Sequence, residues 1–252
     1  MDPARVIARL DVKGLNVVKG IHLEGLRIIG RPGDLARRYY VDGVDELLFM
    51  DVVASLYGRN SLLGVIEDAA KDVFVPLTVG GGIRTLDDIF AVLRAGADKV
   101  AINTEAITNP EILRTASRAF GSQCIVLSVE AKRREGGWWE ALTDNGRQMT
   151  GRNVLDWVKE AEALGVGEVL ITSVDQEGTR KGFDLALVKE VREKIKIPVI
   201  MGGGAGTAED VTCLLRSEKA DAICCASIFH YDICSIRELK NTLSNEGFEV
   251  RV

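Results

Sequence analysis

Short apolar runs rich in β-branched residues alternate along the chain with longer amphipathic ones. The short runs fall at 6–12, 46–53, 76–79, 99–103, 125–129, 168–174, 198–201 and 222–227. Their near-continuous apolarity predicts strands covered on both faces, as in a parallel sheet. Helical patterns follow at 34–42, 60–73, 86–95, 110–120, 153–164, 185–195, 208–218 and 235–245. The connections are short except in the first unit, where residues 14–33 read as a long loop. Eight such units in 252 residues predict an α/β fold, a closed (β/α)8 TIM barrel in preference to an open sheet. No linker or low-complexity stretch interrupts the pattern, so residues 1–252 read as one barrel.

The pattern also repeats. PLTVGGGIRTLDD (76–88) returns as PVIMGGGAGTAED (198–210), an offset of 122 residues (202 − 80). DELLFMD (45–51) resembles GEVLITS (167–173), and GADKVAINT (96–104) resembles KADAICCAS (219–227). Asp11 ends RVIARLD (5–11) and Glu130 ends IVLSVE (125–130). The first four units thus echo the last four, which predicts two (β/α)4 halves, about 1–123 and 124–252, related by an approximate twofold axis.

Composition narrows the function classes. The chain is 46% hydrophobic and 27% charged, with a net charge of −5 and both signs interspersed. No basic face for nucleic acid or an anionic membrane is expected, nor is any apolar run long enough to span a bilayer. MDPARVIARLD carries charges inside its one apolar run, unlike a signal peptide. Five cysteines without C-x-x-C spacing and two histidines, His22 and His230, argue against a zinc site or a disulfide framework. No metal or cofactor is expected, and a reducing cytoplasm is the simplest location.

In a (β/α)8 barrel, chemistry lies at the carboxyl ends of the strands. A glycine turn there, opening into a helix, presents backbone N–H groups to an anion. Gly81 and Gly82 would act with Asn103 and Thr104, and Gly203 and Gly204 with Ala226 and Ser227. Two such cradles across one barrel mouth imply an elongated substrate phosphorylated at both ends. Between them, Asp11 and Glu130 are placed to work as general acid and base; the alternative is a carboxylate neutralised by a nearby Lys13, Lys19 or Lys132. Asp51, Asp175 and Glu177 are supporting candidates. His230 reads as packing. His22 lies in the long first loop. Trp138 and Trp139, in KRREGGWWEALTDNGRQ (132–148), sit on an expected hairpin and line the mouth or cover the rim.

These segments, with LDVKG…VVKG (10–20), FGSQ (120–123), TSVDQEGT (172–179) and RELK (237–240), resemble the cyclase subunit of imidazole glycerol phosphate synthase. The resemblance spans essentially the whole chain. It implies a (β/α)8 barrel that takes ammonia from a glutaminase subunit docked at its amino-terminal face. Ammonia would cross the barrel core to a bisphosphorylated ribulosyl formimino-aminoimidazole carboxamide nucleotide, yielding imidazole glycerol phosphate and aminoimidazole carboxamide ribotide. It also implies that Gly178 joins the second cradle and that Lys19 closes over substrate. Arg5, Glu46, Lys99 and Glu168 match the family's ammonia gate, and Asp98 becomes a candidate contact with the glutaminase. The gate charges, at the starts of strands one, two, four and six, can also neutralise one another in a ring.

Four positions depart from the family: Glu130 and Glu177 stand for Asp, Arg9 for Cys, and Gly202 for Ser. A carboxylate one methylene longer shifts the acid by about 1 Å, enough to cost on the order of 100-fold in rate. Three further readings therefore accompany the cyclase. One is a paralogue delivering ammonia to a sugar to form an amidino group in surface polysaccharide synthesis. Another is the related phosphoribosyl formimino isomerase, which needs no ammonia. The last is a non-catalytic phosphate-binding scaffold.

Overall fold

A computed structural model describes residues 3–54, 62–218 and 220–251. The strands are β1 (Arg5–Lys13), β2 (Asn16–Ile21), β3 (Glu24–Gly30), β4 (Glu46–Asp51), β5 (Leu77–Gly80) and β6 (Lys99–Ile102) in the first half. Those of the second are β7 (Ile125–Arg133), β8 (Trp139–Thr143), β9 (Gln148–Asn153), β10 (Glu168–Ser173), β11 (Val199–Gly202) and β12 (Ala222–Cys225). The helices are α1 (Pro32–Val41), α2 (Leu63–Asp72), α3 (Leu86–Arg94), α4 (Thr104–Thr108) and α5 (Glu111–Phe120), then α6 (Val154–Leu164), α7 (Leu185–Lys194), α8 (Ala208–Glu218), α9 (Ser227–His230) and α10 (Ile236–Asn245). The expected helix at 60–73 begins in residues outside the described ones, as does Lys219 of the second repeat.

Eight parallel strands pair in the order β10, β11, β12, β1, β4, β5, β6, β7, and β7 pairs back to β10. The sheet is closed, as the alternation of strands and helices predicts. The two faces of each strand divide the core. Ile7, Leu48, Ala101, Val126, Leu170 and Ile200 meet inside the barrel. Their neighbours Val6, Ala8, Leu47, Phe49, Leu127 and Val169 pack in the larger layer beneath the helices. Side chains alternate along a strand, so Arg9 and Asp11 share the inner face with Ile7. The seam between the two repeats falls at β6 and β7.

Residues 14–33 are not a loop. β2 and β3 form an antiparallel hairpin carried on β1, with Asp11 opposite Val18. Its turn, His22 and Leu23, has both residues at positive φ, 53° and 65°, the geometry of a type I′ turn. Lys19 therefore lies on β2 and is 2% exposed. The expected hairpin after β7 is present as β7, β8 and β9. Trp139 covers the rim: it is fully buried, and its Nε1 donates to Asp184 Oδ2, 2.9 Å away at the start of α7.

Candidate active site

The two glycine turns start their helices with the same bonds. Thr85 Oγ1 accepts from Asp88 N at 3.1 Å, while Asp88 Oδ2 accepts from Arg84 N and Thr85 N at 3.0 and 2.9 Å. In the repeat, Thr207 Oγ1 accepts from Asp210 N at 3.2 Å, and Asp210 Oδ2 accepts from Gly206 N and Thr207 N at 2.9 Å each. These capping networks satisfy the N–H groups of Arg84, Thr85 and Asp88 and, in the repeat, of Gly206, Thr207 and Asp210. The glycines just before them remain to bound a cavity. Gly81 has φ 95° and Gly203 φ 89°. A Cβ on Gly81 would run into the Asp51 carbonyl oxygen, and one on Gly203 would lie 2.8 Å from that of Ser173. Only glycine lets the turn approach the preceding strand end so closely.

The first cavity, about 110 Å³, is lined by Gly81, Gly82, Asn103, Thr104, Arg84 and Glu130, among others. Asp51 also borders it, with Oδ1 accepting from Val53 N at 3.0 Å. The second cavity brings Glu177, Gly178, Gly203, Gly204, Ala226 and Ser227 together, but measures only about 10 Å³. Arg9 also lines it. Asp175 is in neither cavity: Lys132 Nζ lies 2.6 Å from its Oδ1 and Arg133 N donates to its Oδ2 at 2.8 Å. It braces the β7–β8 connection against the loop after β10.

The two carboxylates sit in contrasting surroundings. Asp11 is buried; Arg9 Nε donates to its Oδ1 at 2.7 Å and Lys19 Nζ lies 3.8 Å from its Oδ2. Burial opposes ionisation, but Arg9 and Lys19 outweigh it and hold the carboxyl below its usual range. Lys19 also donates to Glu177. Glu130 is also buried, and no cation among the described residues lies on its oxygens. Asn103 Nδ2 and Gly146 N donate to Oε2 at 3.1 and 2.8 Å, and burial pushes the carboxyl up to about 7. Environments that drive two carboxyls apart in this way equip one as base and the other as acid near neutral pH.

The histidines support the frame. His22 Nδ1 bonds the Val174 carbonyl at 2.8 Å, and His22 N donates to Glu177 O at 2.8 Å, which ties the β2–β3 hairpin over the second cavity. His230 is buried against Tyr39, whose hydroxyl is 2.6 Å from Nδ1. Burial lowers its pKa to about 4, so the ring is neutral at physiological pH.

At the opposite end of the barrel, four charges close a ring. Arg5 Nη1 and Nη2 reach Glu46 and Glu168 at 2.7 Å each, and Lys99 Nζ reaches the same two carboxylates at 3.1 and 2.8 Å. Cation and anion alternate, each touching both neighbours. Asp98 is exposed beside it, and its Oδ2 accepts from Leu77 N at 2.8 Å.

Arg84, Thr172 and Gly146 belong to the site without having been singled out by the sequence. Arg84 could have been found from its place three residues after Gly81. Gly146 lies at the tip of the DNG turn in the expected hairpin. Nothing in the sequence marks Thr172, whose hydroxyl accepts from Arg9 Nη1 at 2.9 Å. Among the described residues no group of His, Cys, Asp and Glu side chains is placed to hold a metal ion, and no described helix is long and apolar enough to cross a membrane.

Residues 5–235 match the family described as histidine biosynthesis protein. The chain is 58% identical over 210 residues to the imidazole glycerol phosphate synthase subunit HisF of Legionella pneumophila, covering 83% of this chain and 99% of that protein. It is 49% identical over 253 residues to the subunit of the same name from Corynebacterium diphtheriae and 44% over 248 to that of Streptococcus sanguinis. Both matches cover 98% of each chain.

Proposed function

The chain belongs to the histidine biosynthesis protein family, and on that premise we propose that it is the cyclase subunit of an imidazole glycerol phosphate synthase. It accepts ammonia and converts the bisphosphorylated ribulosyl formimino-aminoimidazole carboxamide nucleotide to imidazole glycerol phosphate and aminoimidazole carboxamide ribotide. The observation that carries the reading is the pairing of two glycine-turn cavities with two buried carboxyls of opposite bias. Gly81, Gly82, Asn103 and Thr104 bind one phosphate; Gly178, Gly203, Gly204, Ala226 and Ser227 bind the other. Asp11, held ionised by Arg9 and Lys19, takes protons from the middle of the substrate. Glu130, part protonated at neutral pH, gives them. The β2–β3 hairpin bearing Lys19 excludes water, which competes with ammonia as nucleophile.

A glutaminase subunit docks on the amino-terminal face, and Arg5, Glu46, Lys99 and Glu168 admit ammonia to the barrel core, with Asp98 at the contact. The test is turnover of the nucleotide by this chain alone in excess ammonium at mildly alkaline pH. Clear activity, abolished in Asp11→Asn, is expected. Arg9 and Glu130, which depart from the family's pattern, favour one second reading: a paralogue that delivers ammonia to a sugar. No turnover by either the unaltered chain or Glu130→Asp would move the assignment there.

A further inference from the structure

The second cavity departs from the first in the source of its positive charge. In the first, Arg84 follows the glycine turn and lines the cavity. In the repeat the equivalent position is Gly206, where a Cβ would run into the Arg180 carbonyl oxygen, so no side chain fits. The second cavity nevertheless contains a guanidinium, Arg9 from the middle of β1. Arg9 is 4% exposed. Its Nε is committed to Asp11 and its Nη1 to Thr172, while Nη2 makes no hydrogen bond among the described residues. A buried, permanently charged fork with a donor to spare, beside the turn at Gly203 and Gly204, suits a tetrahedral oxyanion.

We propose that Arg9 is the anion-binding side chain of the second cradle, selecting a substrate that ends there in a phosphate dianion, and that the same guanidinium positions Asp11. The phosphate identity rests on the bisphosphate reading above; the anion site does not. A phosphate bound to Nη2 shares its cation with Asp11, so filling the cradle loosens the hold on that carboxylate and strengthens it as a base. Entry requires room. The cavity is narrow, about 10 Å³, room for about one water, and its Gly178 wall lies so close to the hairpin that a Cβ there would collide with the Gly20 carbonyl.

The test is a calorimetric titration of the full chain with inorganic phosphate, beside Arg9→Gln, Arg9→Lys and Arg84→Gln. Two phosphates per chain are expected in the unaltered protein. Loss of one charge-assisted donor weakens binding by about 10- to 100-fold; Arg9→Gln should do this to one site and leave the other unchanged, and Arg9→Lys should fall between. Arg84→Gln should weaken the other site alone. If Arg9→Gln does not fold well enough to titrate, the Arg9 guanidinium nitrogen resonances of the unaltered chain decide, since they must shift with one of the two binding events. Unchanged binding in a folded Arg9→Gln, equal loss at both sites, or Arg9 resonances indifferent to phosphate would overturn the proposal. Phosphate binding that depends on Arg9 without nucleotide turnover would sink the functional reading and leave this one standing.

Discussion

The turns at 79–85 and 201–207 share glycine backbones, capping threonines and aspartates, and a short helix, α4 or α9, that begins on the neighbouring strand end. The cavities beside them differ tenfold in volume, about 110 against 10 Å³. Backbone and caps are thus kept in both halves, while the side chains that fill or empty each cavity diverge. Arg84 corresponds to Gly206 and Ile83 to Ala205 in the repeat, and Arg9 enters the second cavity from the first half. The strand-end carboxyls divide in the same manner: Asp11 is clasped by cations, and Glu130 by an amide and a backbone N–H. A duplicated backbone supplies two similar sockets, and a few side chains then make one chemical sequence out of them.

Replacing the two carboxyls probes that division most strongly. Asp11→Asn and Glu130→Gln should each lower kcat by roughly 100- to 10,000-fold, read in the ammonium-dependent assay. At a fixed concentration of free ammonia, the unaltered enzyme should lose part of its rate as pH rises through about 7, where Glu130 ionises, and Glu130→Gln should abolish that dependence.

The same pair should give stability opposite slopes with pH. Glu130 is raised from 4.5 to about 7 in the folded chain, so its contribution is full below about 4.5 and is lost as pH rises through 7, about 3 kcal/mol in all. Asp11 is lowered from 3.8, so its contribution is present above that value and is lost on acidification. Denaturant unfolding at a series of pH values should show the neutral-range slope flattened in Glu130→Gln and unchanged in Asp11→Asn.

Backbone changes rank next. Gly81→Ala and Gly203→Ala each force a side chain into the left-handed region, at about 1–3 kcal/mol. Gly81→Ala should cost more, since its Cβ meets the Asp51 backbone more closely than the Gly203 Cβ meets Ser173. The smallest and most symmetric effect belongs to the caps. Thr85→Ala and Thr207→Ala should each lose about 1 kcal/mol by thermal unfolding, and unequal losses would break the equivalence of the halves.

The barrel was legible because its strands and helices differ in period, and because the repeat shows each unit twice. The β2–β3 hairpin was not. Its turn residues, His22 and Leu23, sit at positive φ without the Asn-Gly or Gly pairs that announce a type I′ turn, and the strands lean on β1 for their order. Parity along β1 put Arg9 on the same face as Asp11, yet its reach to Thr172 depends on β10, which the sequence places 163 residues away. Asp175 is a supporting candidate from its neighbours at 172–179; that Lys132 and the Arg133 amide hold it at the rim, outside both cavities, depends on tertiary packing. Glu130 was visible as a strand-end carboxyl, but its elevated pKa comes from burial beneath β8 and β9, a packing outcome.

The four charges at the amino-terminal end have a consequence beyond their mutual neutralisation. Alternating signs around a closed ring leave neither net charge nor dipole, so the leading field is that of a quadrupole, which dies away within a few ångströms. Such a ring exerts no pull on ions in the surrounding solution. If the ring is the ammonia gate proposed above, its discrimination operates only at contact, where an ammonium ion competes with Arg5 and Lys99 for the carboxylates and a neutral ammonia molecule does not. Passage through such a gate should then be indifferent to ionic strength, in contrast to sites that draw their ligands in by long-range attraction.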